Sequence, residues 1–247
     1  MAGHSHSANI AVRKGKQDAA RARVFSKLAR YIMIAAKHGG GDPDTNLRLR
    51  YAIDKARHVS MPKDNIERAV LKGTGDLEGV SYEEIAYEGY GPGGVAILIE
   101  TLTDNRNRTS GEVRLLFDKA GGNMGAIGSV AYLFERKGLI VLDAKAYPDE
   151  DTVMTAALEA EADDVQRAGD VFEVTTDPTR FDAVRQKLLA AGFEPLEAEI
   201  KQLAKTGAAV EVETGRRIAR LIDAFDNHDD VQNVYTNAEL TAEMLDG

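Results

Sequence analysis

Between about residues 16 and 37, apolar residues recur at spacings of three and four. Val24, Leu28, Tyr31, Ile32 and Ala35 form one stripe, which predicts an amphipathic helix. Arg23, Lys27, Arg30 and Lys37 fall on another face. Gly39-Gly40-Gly41 should end the helix, because residues without a Cβ turn easily out of helical geometry. Asp42-Pro43-Asp44-Thr45-Asn46 offers several N-caps for a second helix to about Arg57, with Leu49, Ala52, Ile53 and Ala56 on its core face. A third helix is expected to start at Pro62, where a missing N–H costs nothing, and to end at Gly73 with Ile66, Ala69 and Val70 buried.

Past Gly75 the pattern changes to strands. Ile85–Tyr87 and Val95–Leu102 read as strands joined by Gly89-Tyr90-Gly91-Pro92-Gly93-Gly94. Thr109-Ser110-Gly111-Glu112 has capping-box spacing and predicts a helix through Val113, Leu116 and Phe117 to Gly121, followed by a strand over Val130–Phe134. A second unit reads strand (139–142), helix (149–162), strand (171–175), helix (178–191) and strand (194–203). Thr214 then introduces a helix through Ile218, Leu221, Ile222 and Phe225, and Val231–Tyr235 forms a last strand.

The fold class expected is α+β multidomain: an N-terminal three-helix bundle followed by two ferredoxin-like α/β sandwich domains, one inserted in the other. The expected boundaries are residues 1–75 for the bundle, 76–138 plus 206–247 for a discontinuous domain, and 139–205 for the inserted one.

Charge changes this picture most. The chain has 247 residues and a formal net charge of −9, yet its first 74 residues hold 15 Lys or Arg against 6 Asp or Glu. The remainder holds 16 against 34, so +9 sits at the front and −18 behind. A compact basic module points to a polyanionic partner, most simply nucleic acid. Arg13, Lys14, Lys16, Arg21 and Arg23 lie within eleven residues and are candidate phosphate ligands, alongside Lys27, Arg30, Lys37, Arg48 and Arg50. Arg106 and Arg108, in Asp104-Asn105-Arg106-Asn107-Arg108-Thr109 before a helix start, make a second candidate anion contact. The bland alternative is that these cations are solvated helix faces and that the Asn and Asp side chains satisfy local backbone.

Other chemistry finds little support. With no cysteine, disulfide scaffolds, thiol nucleophiles and cysteine-ligated zinc are excluded. Gly89, Gly91 and Gly94 have dinucleotide-fingerprint spacing, but they join two strands with Pro92 between them, so a tight turn is expected. His4 and His6 have no further ligands nearby, and the acidic run from Asp149 to Asp164 reads as a solvated face. No cofactor, metal, small-molecule substrate or catalytic residue is nominated, and a non-enzymatic protein is expected. The segment from Gly39 to Asn46 exceeds the short turn of a helix-turn-helix, which disfavours base-specific reading. The absence of a secretory-type apolar segment or a long apolar window predicts a soluble, cytoplasmic protein without membrane partners.

Several motifs together resemble the YebC family: the opening MAGHS, Arg13-Lys14, Gln17-Asp18, GGGDP at 39–43, Asn46 with Leu49-Arg50, and Met61-Pro62. Asp64-Asn65-Ile66, YEGYGPGG at 87–94, LTDNRNRT at 102–109 and Gly128-Ser129-Val130 add to these. His6-Ser7 stand where the family commonly has Lys-Trp, and Val59-Ser60 stand where an Asn usually precedes the Met. The resemblance implies a helical N-terminal bundle with two α/β domains, and a DNA-binding transcriptional regulator. The family also includes the mitochondrial translational activator of cytochrome oxidase, which implies the alternative of a ribosome- or RNA-binding translation factor. Both are nucleic-acid-binding regulators of gene expression. They differ in whether the partner is DNA or ribosomal RNA.

Overall fold

The computed structural model describes residues 17–75 and 82–245, with the backbone alone for 17–21. They group into two compact units, one drawn from residues 15–130 with 217–234, the other from 131–216 with 235–247.

The first unit opens with α1 (Gln17–Gly39), α2 (Leu47–His58) and α3 (Lys63–Gly73). The apolar stripes read from the sequence meet here. Leu28, Ile32, Ala35, Leu49, Ala52, Ile53, Ala56, Ile66 and Ala69 are buried together, with Val24, Tyr31 and Val70 packed against them. Each large aliphatic side chain sequestered in this way contributes about 1.5–3 kcal/mol before the cost of ordering it. The helices approach closely because α3 ends on a glycine: a Cβ on Gly73 would lie 2.2 Å from the Met33 carbonyl oxygen.

Of the candidate caps between α1 and α2, the structure selects Asn46. Its Oδ1 accepts from the Leu49 N–H at 3.1 Å, capping α2. Its Nδ2 donates to the Ala35 and Gly40 carbonyls, each at 2.8 Å, closing the end of α1. One buried amide therefore serves orphan backbone groups of two helices.

In the same unit, β1 (Glu83–Tyr90) and β2 (Ala96–Thr103) form an antiparallel hairpin, with Tyr90 opposite Ala96. The glycine run is the tight connection expected, closed by a 3-10 turn at Pro92–Gly94. The sheet order is β3-β1-β2-β9, where β3 is Asn123–Met124 and β9 is Val231–Thr236. Helix α4 (Arg106–Ala120) and the helix Val212–Asp226 contribute Phe117 and Phe225, both fully buried, whose rings meet edge-on at 5.0 Å. Gly121, at φ 78°, is the left-handed residue that ends α4.

In the second unit, β4 (Phe134–Asp143), β5 (Asp164–Ala168), β6 (Val171–Thr176) and β7 (Glu197–Ala204) pair antiparallel in the order β5-β6-β4-β7. With α5 (Glu150–Glu159) and α6 (Phe181–Ala190) this is a split βαβ plan. Val153, Ala157, Phe181, Val184 and Leu188 from the two helices are buried with Ile140, Leu142, Phe172 and Val174. A two-residue parallel pair joins β8 (Ala208–Ala209) to β10 (Ala238–Glu239), and the helix Val212–Asp226 is α7.

Several expectations need correction. Helix α4 starts at Arg106, three residues before the expected capping box, because Asn105 is the cap and accepts from the Arg108 N–H at 3.1 Å. Thr109, the expected cap, is turned inward and buried. The strand expected over 130–134 is a 3-10 turn at Ala131–Leu133, and β4 runs unbroken from Phe134, so residues 138 and 139 lie in one strand. Strand β5 was not expected, since Asp164-Val165-Gln166-Arg167-Ala168 carries only one large apolar residue. Thr214 does not cap α7, which already includes Val212. The first sheet begins with a hairpin, so its strand order differs from that of the second.

Candidate nucleic-acid interface

Arg23, Lys27 and Arg30 share a face of α1, as their spacing of four and three requires. That face is turned onto the C-terminal end of α7 and the loop after it. Arg23 Nη1 donates to Asn227 Oδ1 at 2.6 Å, and Lys27 Nζ donates to the Asp226 carbonyl at 2.6 Å. Arg30 Nη1 reaches the Asp229 carbonyl at 2.9 Å and Asp230 Oδ1 at 3.1 Å. Cations at a helix C-terminus satisfy free carbonyls and complement the macrodipole, which explains the attraction locally.

The Asp230 carboxylate, 3% exposed as a residue, is the centre of the arrangement. Its Oδ2 accepts from Arg108 Nη2 at 2.6 Å, from the Thr109 hydroxyl at 2.7 Å and from the Thr103 hydroxyl at 3.1 Å. Burial pushes its pKa up, but the bonds from Arg108 and Thr109, the Arg108 charge and the Thr103 hydroxyl hold it below the ordinary carboxylate value. Asp230 also fixes the backbone: its carbonyl accepts from the Leu102 N–H at 2.7 Å, and its N–H donates to His228 Nδ1 at 3.1 Å. With Nδ1 accepting, the His228 proton sits on Nε2, which faces Glu112 Oε2 at 2.8 Å.

These groups border an open cleft of about 830 Å³ whose lining includes Arg23, Arg30, Tyr82, Arg108, Asn227 and Asp230. The Arg30 guanidinium stands 5.8 Å from the centroid of the Tyr82 ring. Asp104, Glu112 and Asp229 also border the cleft, so acids and bases are closely balanced in it.

The remaining sequence candidates separate into three sets. Arg48 is tied to Glu84 and stacked 5.2 Å from the Tyr31 ring, while Arg50 donates to the Pro43 and Asp44 carbonyls, each at 3.1 Å. Lys37, in the last turn of α1, and Arg106, in the first turn of α4, are exposed. Arg13, Lys14 and Lys16 lie outside the described residues, and Arg21 lies in α1 without a described side chain. Arg108 is exposed but is not a loop residue: Asp104 at 2.9 Å and Asp230 hold it at the start of α4.

Sequence reasoning missed Asp230, Thr103, Asn227 and the exposed bundle cations Lys55, Lys63, Arg68 and Lys72. The last four were visible as part of the basic excess. Asp230 had no signal, since a carboxylate before a strand does not announce a partner 122 residues away. Among the described residues no cluster of His, Asp or Glu could hold a metal ion, and no helix is long and apolar enough to cross a membrane. His4 and His6 lie outside the described residues.

Comparison with known proteins matches residues 5–76 to the TACO1/YebC protein N-terminal domain and residues 82–238 to the TACO1/YebC second and third domain. A probable transcriptional regulatory protein of Desulforapulum autotrophicum is 52% identical over 246 residues, covering 100% of this chain and 99% of the relative. A protein of the same description from Treponema pallidum is 51% identical, covering 99% and 100%. The crystal structure of a conserved hypothetical protein from Aquifex aeolicus superposes with a TM-score of 0.82 at 44% identity, covering 91% of this chain and 92% of that one. Matches that run through the basic bundle and both sheets, over nearly the whole length of each relative, place this chain in the TACO1/YebC family.

Proposed function

We propose that this protein is a non-enzymatic, nucleic-acid-binding regulator of gene expression, acting in the cytoplasm through its basic bundle. The observation that carries this reading is the surplus of exposed cations. Lys37, Arg68 and Lys72 are exposed on α1 and α3, and Arg57 and Lys63, which pair at the surface with Asp54 and Glu67, are exposed beside them. Released counterions would make binding fall steeply with salt. Arg13, Lys14, Lys16, Arg21 and Arg106 are proposed as further phosphate contacts. The names of the relatives favour a role in transcription, for which we propose DNA as the partner. We further propose the three-part organisation expected from sequence, with the second α/β domain inserted in the first.

A second reading, a ribosome- or RNA-binding translation factor, is favoured by one feature of the bundle. The connection between α1 and α2 spans Gly40–Asn46 and is closed by the Asn46 amide, which is longer than the turn that sets a recognition helix in a major groove. Backbone contacts of this kind position a protein without reading sequence. Fluorescence anisotropy with random duplex DNA and with rRNA fragments, across a salt series, tests the shared reading. Co-sedimentation with ribosomes, lost when Arg13, Lys14, Arg21 and Arg23 become Glu, selects the second. Enrichment of one duplex sequence from a random pool selects the first. No binding to either polymer at low ionic strength overturns both.

A further inference from the structure

We infer that the Arg23–Lys27–Arg30 face of α1 is a phosphodiester-binding strip held closed by an internal mimic, the loop Asp226-Asn227-His228-Asp229-Asp230. This rests on the nucleic-acid reading above. It adds that the free protein masks part of its own binding surface, and that a bound strand must take the place of this loop on the α1 face.

The contacts have the form of backbone recognition. Arg23 and Arg30 stand about 10 Å apart along the helix axis, a span equal to about three steps of rise along the axis of a duplex. Facing Arg23, Lys27 and Arg30 in turn are Asn227 Oδ1, the Asp226 carbonyl, and the Asp229 carbonyl with Asp230 Oδ1: a set of oxygens with an anionic end, supplied by one short acidic segment. Lys37, Arg68 and Lys72 are exposed on the remaining surface of the bundle.

The same contacts are built to open. The bundle has a core of its own, from Leu28 to Ala69, and the buried members of that core all come from α1, α2, α3 and Met61. The α1 face meets the loop through the tips of long polar side chains, with an open cleft of about 830 Å³ beside them. Arg23 and Asn227 are both exposed, so their bond exchanges with water at little cost. A permanent brace would be expected to fill such a cleft with packed apolar side chains. Asp230 keeps its other partners, Arg108, Thr109 and Thr103, when Arg30 leaves, so the loop has a stable resting place in the open state.

The test uses the full chain, labelled single-stranded RNA and labelled duplex DNA of mixed sequence, and a salt series. Asn227→Ala removes the acceptor of Arg23 at an exposed position, and Asp230→Asn weakens the Arg30 contact together with that of Arg108; thermal melting establishes that each is folded. Either folded variant should bind about three- to tenfold tighter than the parent. Its salt slope should steepen by about 0.7–0.9 for each cation released, the lower figure for single strands and the higher for duplex. Adding Arg23→Gln and Lys27→Gln to Asn227→Ala should erase the gain. The polymer that shows the larger gain identifies the source of the phosphodiester. If the parent binds and the folded variants bind equally or more weakly, the mimic is overturned while the nucleic-acid reading stands. If the parent and both variants ignore RNA and DNA at low salt, both fall. Binding by the variants alone would be the strongest support.

Discussion

Arg108 Nη2 and Asp230 Oδ2 meet at 2.6 Å across 122 residues of chain, joining the first turn of α4 to the loop before β9. The same carboxylate takes Arg30 from the bundle on its other oxygen. One acidic side chain thus ties together three parts of the chain, and its removal should be felt in all of them.

Asp230→Ala should cost about 2–4 kcal/mol, because Thr103 and Thr109 lose a buried acceptor and two guanidinium groups lose their counter-charge. Urea unfolding should show a lower midpoint with an unchanged slope. A midpoint equal to that of the parent would mean the network adds nothing to stability.

Acid should destabilise the protein through the same residue. A carboxylate whose folded pKa lies below its unfolded value contributes stability that is complete above the unfolded value, near 4, and is lost as pH falls through the folded one. Asp230 is shifted in this direction, its burial more than offset by Arg108 and the two threonines. Stability should therefore decline from about pH 5 downward, and decline less steeply in Asp230→Asn. Parallel pH profiles for the two chains would contradict the assignment.

Asn46→Ala should remove about 1–3 kcal/mol, since the cap of α2 and the closure of α1 are lost together. Asn46→Asp should retain the cap but set a carboxylate oxygen against the Ala35 and Gly40 carbonyls, so it should rescue only part of the loss. Far-UV circular dichroism and thermal melting would read both.

Glu88 is buried in β1 and accepts from the Gly128 N–H at 2.6 Å and the Val130 N–H at 2.7 Å. Glu88→Gln places an amide N–H₂ against one of those donors and should cost about 1–3 kcal/mol. Faster hydrogen exchange at Gly128 and Val130, with α1 to α3 unaffected, is the expected signature.

Gly73→Ala should loosen the contact of α3 with α1, because the new methyl would meet the Met33 carbonyl oxygen. A cost of about 1–3 kcal/mol is typical of such overpacking. Gly75→Ala offers a contrast: its Cβ would meet nothing, and any cost there arises from its positive φ alone.

The linear sequence by itself determined the three bundle helices, nearly all of their buried positions, the β1–β2 hairpin and the helices around Phe117 and Phe225. These follow from local periodicity and from residues such as Gly and Pro that restrict the backbone. It also displayed the basic front and the motifs of the family. Only the tertiary structure decided which cations face outward. Arg23, Lys27, Arg30 and Arg108 read as solvated or phosphate-bound, yet each is engaged by residues 104 or 226–230. The start of α4 was misplaced for the same reason, since Thr109 resembles a cap until Asp230 claims its hydroxyl. Helix periodicity is written in neighbours three and four apart. The partner of a charge is set by chain segments brought together in folding, and no local pattern encodes it.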